Sequence, residues 1–448
     1  MKVLRIVLGL ILSLLFTEAN ATQILGGNIT WECLGGNQYQ ITYTQYKDCF
    51  GATAALSSEN LFLFPSGCGA LPFSLQVNLV SQTEISDLCP TELANSTCEA
   101  YFAQNNVGGL IPGVVKVVYT ATTTLAPGCT WKAVWNENNW NYALNIDSST
   151  QPDAYVYANI DTNNCSNSID INTTLAIYEC ANNGVVTNNL SVSNPSGHTL
   201  NFSAIAPQTT GGSISANVDV PGYVPLPGLS VNATTGAVSF NTTGLAPGFY
   251  LGNILVTMTN SAGQVVGSFI ESYPVLMRSC TSTPTSFDNP DIQSLIYGIN
   301  EGATTIGICA GDSLRFTVQA SNTNPIRGVT ISETHPAILN AGNPTLTANG
   351  VNPALANFAM LTTAAMIGTH VINFTAIDDA CVLPGSDAMS ITINIYPSIT
   401  TTVTDTTICL GAPLPVTASG GANYTWTVVS GDATPGFDGN NASQILES

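Results

Sequence analysis

Residues Gly26 to Cys49 read GGNITWECLGGNQYQITYTQYKDC. Ile29, Trp31 and Cys33 alternate with Thr30 and Glu32, Leu34-Gly35-Gly36-Asn37 turns the chain, and Tyr39, Ile41 and Tyr43 alternate again. A two-residue side-chain period on both sides of a Gly-Gly-Asn turn predicts a β-hairpin. Such a hairpin brings Cys33 and Cys49 onto neighbouring strands, which makes both disulfide candidates.

The same texture continues outward from the hairpin. Short alternating strands and turns follow one another, and no stretch of ten or more residues holds a 3.6-residue apolar period, so the fold class is all-β. Of 448 residues, 44% are apolar and 8% aromatic, enough buriable surface to offset chain entropy. Only 8% are charged, and the net charge is -20. That balance excludes a phosphate backbone as partner, since binding one needs clustered Lys and Arg.

Lys2 and Arg5, the apolar run Ile6 to Phe16, and Ala19-Asn20-Ala21 have the three-part order of a secretory signal peptide, with cleavage expected before Thr22. The run is too short for a membrane helix, which needs about 20 residues. No later segment is apolar enough to anchor the chain. Export to the cell surface or beyond makes the 12 Cys disulfide formers.

Eight of the twelve Cys fall between Cys33 and Cys180, marking a disulfide-dense β domain over 22–179. Beyond it an internal repeat emerges. Tyr178-Glu179-Cys180, Ile308-Cys309-Ala310 and Ile408-Cys409-Leu410 start alike, and Gly248-Phe249-Tyr250-Leu251 echoes Gly368-Thr369-His370-Val371. Units of about 100 residues with several short strands suit immunoglobulin-like sandwiches, at 180–280 and 281–398, with Thr281 to Ser286 and Pro397 to Thr407 as junctions. The module at 399–448 reads as cut short. By position Cys180 and Cys280 flank one repeat, and Cys309 and Cys381 flank the next. If both pairs form and Cys409 waits for a partner, an odd number of Cys remains in the first domain. Either Cys409 is free or one bridge crosses between domains.

These residues resemble a known group, the large multidomain surface proteins of gliding and adhesive Bacteroidetes. The Gly26 to Cys49 stretch looks like that group's N-terminal signature. GLSVNATTGAVSFNTTGLAPGFYLGNILVTMTNSAG (Gly228 to Gly263) is similar to its cadherin-like or immunoglobulin-like repeat. FTAIDDACVLPGS (Phe374 to Ser386) and ICLGAPLPVTASGGANYTWTV (Ile408 to Val428) resemble its later, PKD-like modules. The resemblance implies a non-enzymatic adhesin outside the outer membrane, a cargo of type IX secretion, contributing to attachment or gliding. Where that group carries an acidic Asp-Pro-Asp-Gly-Asp turn, this chain has Asn194-Pro195-Ser196-Gly197-His198, which removes the carboxylates calcium prefers.

Little catalytic chemistry is legible. His occurs only at 198, 335 and 370, with no Gly-x-Ser-x-Gly and no His-Glu-x-x-His, and no catalytic or metal-binding residue is nominated. No cofactor is expected. Asp378-Asp379, Asp432 and Asp438 read as solvated turn acids rather than calcium ligands. His370 takes the slot of Tyr250 and reads as a packing residue at a strand start. One constellation suits ligand binding: Trp131, Trp135, Trp140 and Tyr142 lie among Asn136, Asn138, Asn139 and Asn141. Aromatic faces stack on sugars while amides bond hydroxyls, so Trp135, Trp140 and Tyr142 are the candidates for a glycan, and a carbohydrate-binding module is the alternative function. On a strand, Trp131, Ala133 and Trp135 share one face, and core packing is the stronger reading.

Overall fold

The computed structural model describes residues 24–402 apart from 51–54, 90, 104–110, 138–139, 148–151, 172–176, 189, 191, 195–196, 281–284, 289–294, 296–297, 382 and 399. Beyond 402 it describes three strands, Leu414–Ser419, Thr434–Pro435 and Ser443–Glu447. The expected signal segment, Asn138, Asn139, Cys409, Asp432 and Asp438 lie outside the described residues.

The chain is nearly all β. β1 (Ile24–Gly35) and β2 (Gln38–Asp48) form the expected hairpin. Gly36 and Asn37 take φ of 59° and 63°, the pair of left-handed residues that a two-residue hairpin turn needs. Register pairs Ile29 with Tyr43 and Trp31 with Ile41, so these apolar residues share the buried face. The same register overturns the expectation for the cysteines. Cys33 pairs with Tyr39 beside the turn, whereas Cys49 follows the open end, about 30 Å away at ~3.3 Å per residue. Cys33 bonds Cys165, Cys49 bonds Cys98, and Cys68 bonds Cys129.

β3 (Ser58–Ser66), β4 (Phe73–Glu84), β5 (Val114–Thr124), β6 (Thr130–Glu137) and β7 (Ala154–Asp161) extend the sheet in the order β1-β2-β5-β4-β3-β6-β7. The strand Val265–Arg278 then pairs with both β7 and β1, closing the sheet on itself. Gly26 permits that closure: a Cβ there would sit 2.2 Å from the Ser272 carbonyl oxygen. Residues on both sides of 180 therefore share one sheet and one core, from Ile24 through Trp135 to Met277. The reason is the strand Val265–Arg278 itself. Nearly every residue in it is buried on both faces, so it must be flanked by other strands. We call this body, residues 24–280, the first lobe.

The second lobe, up to residue 398, is a two-sheet sandwich. One sheet has the order Thr285–Phe287, Ser313–Asn322, Ala354–Leu361, Thr345–Ala348; the other runs Ile299–Gly302, Thr305–Cys309, Ser386–Tyr396, Gly368–Asp378, Val329–Thr334. Phe316, Phe358 and Phe374 pack between them with ring centroids 5.1 to 6.1 Å apart.

Both echoes of the repeat fall in matching places. Ile177–Cys180 pairs in parallel with Val265–Arg278, and Thr305–Cys309 pairs in parallel with Ser386–Tyr396. Gly248 and Gly368 each open the antiparallel neighbour of that last strand. Cys180 sits opposite Arg278 and bonds Cys280, two residues on. Cys309 sits opposite Tyr396, and two residues on is Ser398. A serine thus stands where the first repeat has its second cysteine, and Cys309 is the free thiol among the described residues. Ser398→Cys is expected to close the missing bridge: peptide mapping without reduction should recover Cys309 linked to position 398, and a Cys309 that still alkylates would refute the equivalence.

The expected Cys309–Cys381 bridge is absent because the two ends of the strand Gly368–Asp378 separate them. Gly368 lies at the Cys309 end and Asp378 leads into the Cys381 loop, about 30 Å along at ~3.3 Å per residue. Cys381 instead bonds Cys89 of the first lobe. The odd count resolves through a bridge between domains. Around it, Leu383 packs with Ile85, Leu88, Tyr178 and Leu276 in a small core shared by the lobes.

Candidate functional site: the cleft between the lobes

The aromatic constellation does not form one surface. Trp135 is 2% exposed, stacks on Tyr43 at 5.0 Å and donates Nε1–H to Glu59 at 3.4 Å. Trp140 is 5% exposed and donates to the Gln208 carbonyl at 3.3 Å. Trp131 is buried too, and only Tyr142, 64% exposed, faces solvent. The alternation of β6 sends its tryptophans inward, as core packing requires. Trp140→Ala is expected to cost about 3 kcal/mol or more of stability, and Tyr142→Ala less than about 0.5, measured by denaturant unfolding. Equal effects would contradict the burial.

Of the turn acids expected to be solvated, Asp378 and Asp379 are described, and Asp378 departs from that expectation. Asp378 is buried; its carboxylate accepts from the backbone N–H of Ala380 and Gly385, from Thr285 Oγ1 at 2.8 Å and from Asn322 Nδ2 at 2.6 Å. Asp379 pairs with Arg327 at 3.7 Å. Two carboxylates are sealed inside the first lobe. Glu271, fully buried, accepts from Asn28 and from Tyr46 at 3.1 Å, and burial raises it to about 7. Glu179 is raised to about 8 by burial and by the charges of Asp87 and, from the second lobe, Asp387. Glu179 pairs with Met277 on the next strand, placing the two acids about 20 Å apart. Glycosidase carboxyl pairs stand roughly 5 to 9.5 Å apart and open to substrate. This pair fits neither condition.

The histidines behave unlike one another. His370 Nε2–H donates to the Met366 carbonyl at 2.7 Å, as Tyr250 OH donates to the carbonyl of Ala246 at 2.9 Å; both reach back four residues from the same repeat position. His335 is held by Glu333 at 2.7 Å and Asn340 at 2.9 Å, and the Glu333 bond raises its pKa. His198 is lowered by burial, and its Nε2 has neither solvent nor a hydrogen-bond partner.

His198 and His370 line opposite walls of a cleft of about 650 Å³ between the lobes. The first-lobe wall comprises Asn194, Gly197 and His198, the start of the edge strand Thr199–Ile205, and Thr234 and Thr235. Asn194 Oδ1 accepts from the His198 N–H at 3.1 Å, and its Nδ2–H donates to the His198 carbonyl at 2.6 Å. The second-lobe wall is Pro336, Ile338 and the strand start Thr369 to Asn373. That volume lies within the ~300 to 1,000 Å³ typical of ligand pockets. No Asp, Glu, Lys or Arg is among the described residues that line it. Sequence reasoning missed this site because it belongs to neither lobe alone. Its one local signal was the neutral turn at Asn194.

No family model and no curated protein matches the chain. Among solved structures it is similar to the N-terminal four Ig domains of Dscam1, at 9% identity over 87% of this chain and 92% of that one, TM-score 0.22. It is similar to Drosophila N-cadherin EC1-3, at 14% identity over 54% and 77%, TM-score 0.18. An endo-fucoidan hydrolase of glycoside hydrolase family 107 is 16% identical over 50% of this chain and 34% of that one, TM-score 0.16. Scores this low carry no argument, and the fold rests on the strand pairing above.

Proposed function

We propose that this chain is a non-enzymatic attachment protein of the cell exterior, a stiff two-lobed scaffold that presents its interlobe cleft to a partner. The observation that carries the reading is the Cys89–Cys381 bridge between lobes with separate cores, together with a cleft of ligand size between them. Five disulfides suit an oxidising compartment. Among the described residues no helix is long and apolar enough to cross a membrane. In its fuller form, drawn from the sequence resemblance, the protein sits outside the outer membrane of a gliding or adhesive bacterium. Antibody labelling of intact cells, with attachment assays on a deletion strain, tests this. Surface labelling and weakened attachment are expected; labelling only after permeabilisation would overturn it.

A further inference from the structure

We propose that the interlobe cleft binds an uncharged oligosaccharide, with sugar rings held between the two lobes. The inference rests on the attachment reading above and assigns its ligand. Four observations carry it. First, the cleft is electrically neutral in a chain of net charge -20, so acidic residues crowd elsewhere while this surface excludes them. An anionic or cationic ligand would find no countercharge, and a neutral one needs none. Second, the walls alternate apolar and hydrogen-bonding groups. Leu200, Ile338 and Val371 offer C–H surfaces to a sugar face, and Thr234 and Thr369 offer hydroxyls to its edge. Third, one polar group in the cleft wall lacks a partner: His198 Nε2 has no hydrogen bond and no accessible surface, so a ligand hydroxyl reaches it through a turn of the imidazole ring. Fourth, an extended peptide is disfavoured. Strand addition needs a free edge, and on Thr199–Ile205 the Phe202 N–H already donates to the Ala233 carbonyl at 2.9 Å.

The test is calorimetric titration of the full chain with neutral hexasaccharides (cello-, xylo- and manno-oligomers), with an oligogalacturonate, and with an uncharged peptide of similar length. Binding of at least one neutral series is expected, with none of the acidic sugar or peptide. Thr234→Trp and Thr369→Trp, exposed positions on opposite walls, are each expected to weaken that binding at least about tenfold while leaving the melting temperature nearly unchanged. Preference for the acidic sugar or the peptide would overturn the inference. So would neutral-sugar binding that survives both substitutions, which would place the glycan elsewhere, or a lack of any sugar binding. If cells still need the protein for attachment in those cases, the attachment reading stands and only the ligand is wrong; surface labelling that fails removes the reading itself.

Discussion

Raising the pH from 4.5 to 8 is expected to destabilise the folded chain by several kcal/mol. Glu271 releases its proton near 4.5 when unfolded and at about 7 when folded, because full burial penalises the carboxylate more than Asn28, Tyr46 and the distant Lys116 charge favour it. Glu179 does so at about 8. Between those values the folded state binds more protons than the unfolded one, so stability falls as pH rises. The contribution is fully present below about 4.5 and lost above about 7 for Glu271 and 8 for Glu179, on the order of 3 kcal/mol for the first and somewhat more for the second. His335, raised by Glu333, acts in the same direction, while His198, lowered by burial, opposes it in acid. Growing self-repulsion of a chain already at -20 adds to the trend. Denaturant midpoints across this range check it. Glu271→Gln keeps an acceptor for Asn28 without a titrating proton and is expected to flatten the curve, gaining up to about 3 kcal/mol over the parent at pH 8. A stability that climbs with pH would contradict the burial of these acids.

Replacing Cys89 and Cys381 together by serine is expected to uncouple the lobes. The bridge spans 292 residues; the Cys180–Cys280 bridge shortens the effective loop to on the order of 200, for which chain entropy gives at most about 5 kcal/mol. Each lobe keeps its own core, so the loss should show as one melting transition splitting into two rather than as wholesale unfolding. Affinity for whatever fills the cleft should fall with it, since the walls would then be held by the small cluster around Leu383 and by the packing of Val185–Asn188 on Ser386–Tyr396, with no covalent cross-link. A single unshifted transition would mean that the bridge holds nothing the shared surface does not.

The hairpin at Gly26 to Cys49 was legible because alternation and turn chemistry are local. The repeat was legible as well: its Cys-bearing openings and its Gly-x-Tyr and Gly-x-His echoes mark equivalent strands. Less visible was the merger of 22–179 with 180–280, since cysteine density changes at 180 but the sheet does not. The signal lay in Val265 to Arg278, whose apolar residues come in adjacent pairs, Val265-Val266, Phe269-Ile270 and Val275-Leu276, where a half-exposed strand would alternate. Disulfide partners were hidden for a related reason. Spacing in sequence says nothing of which end of a strand a cysteine occupies, and Cys33/Cys49 and Cys309/Cys381 were each parted by one strand length. The cleft was hidden most deeply, because His198 and His370 come to face one cleft only through the packing of two lobes.

The most direct measurement is mass-spectrometric mapping of the unreduced, thiol-blocked protein. A peptide joining Cys89 to Cys381, with Cys309 free of Cys381, is the expected result and fixes the two lobes about their cleft. A Cys309–Cys381 peptide would leave the lobes unlinked and contradict the two-lobed scaffold on which the function rests.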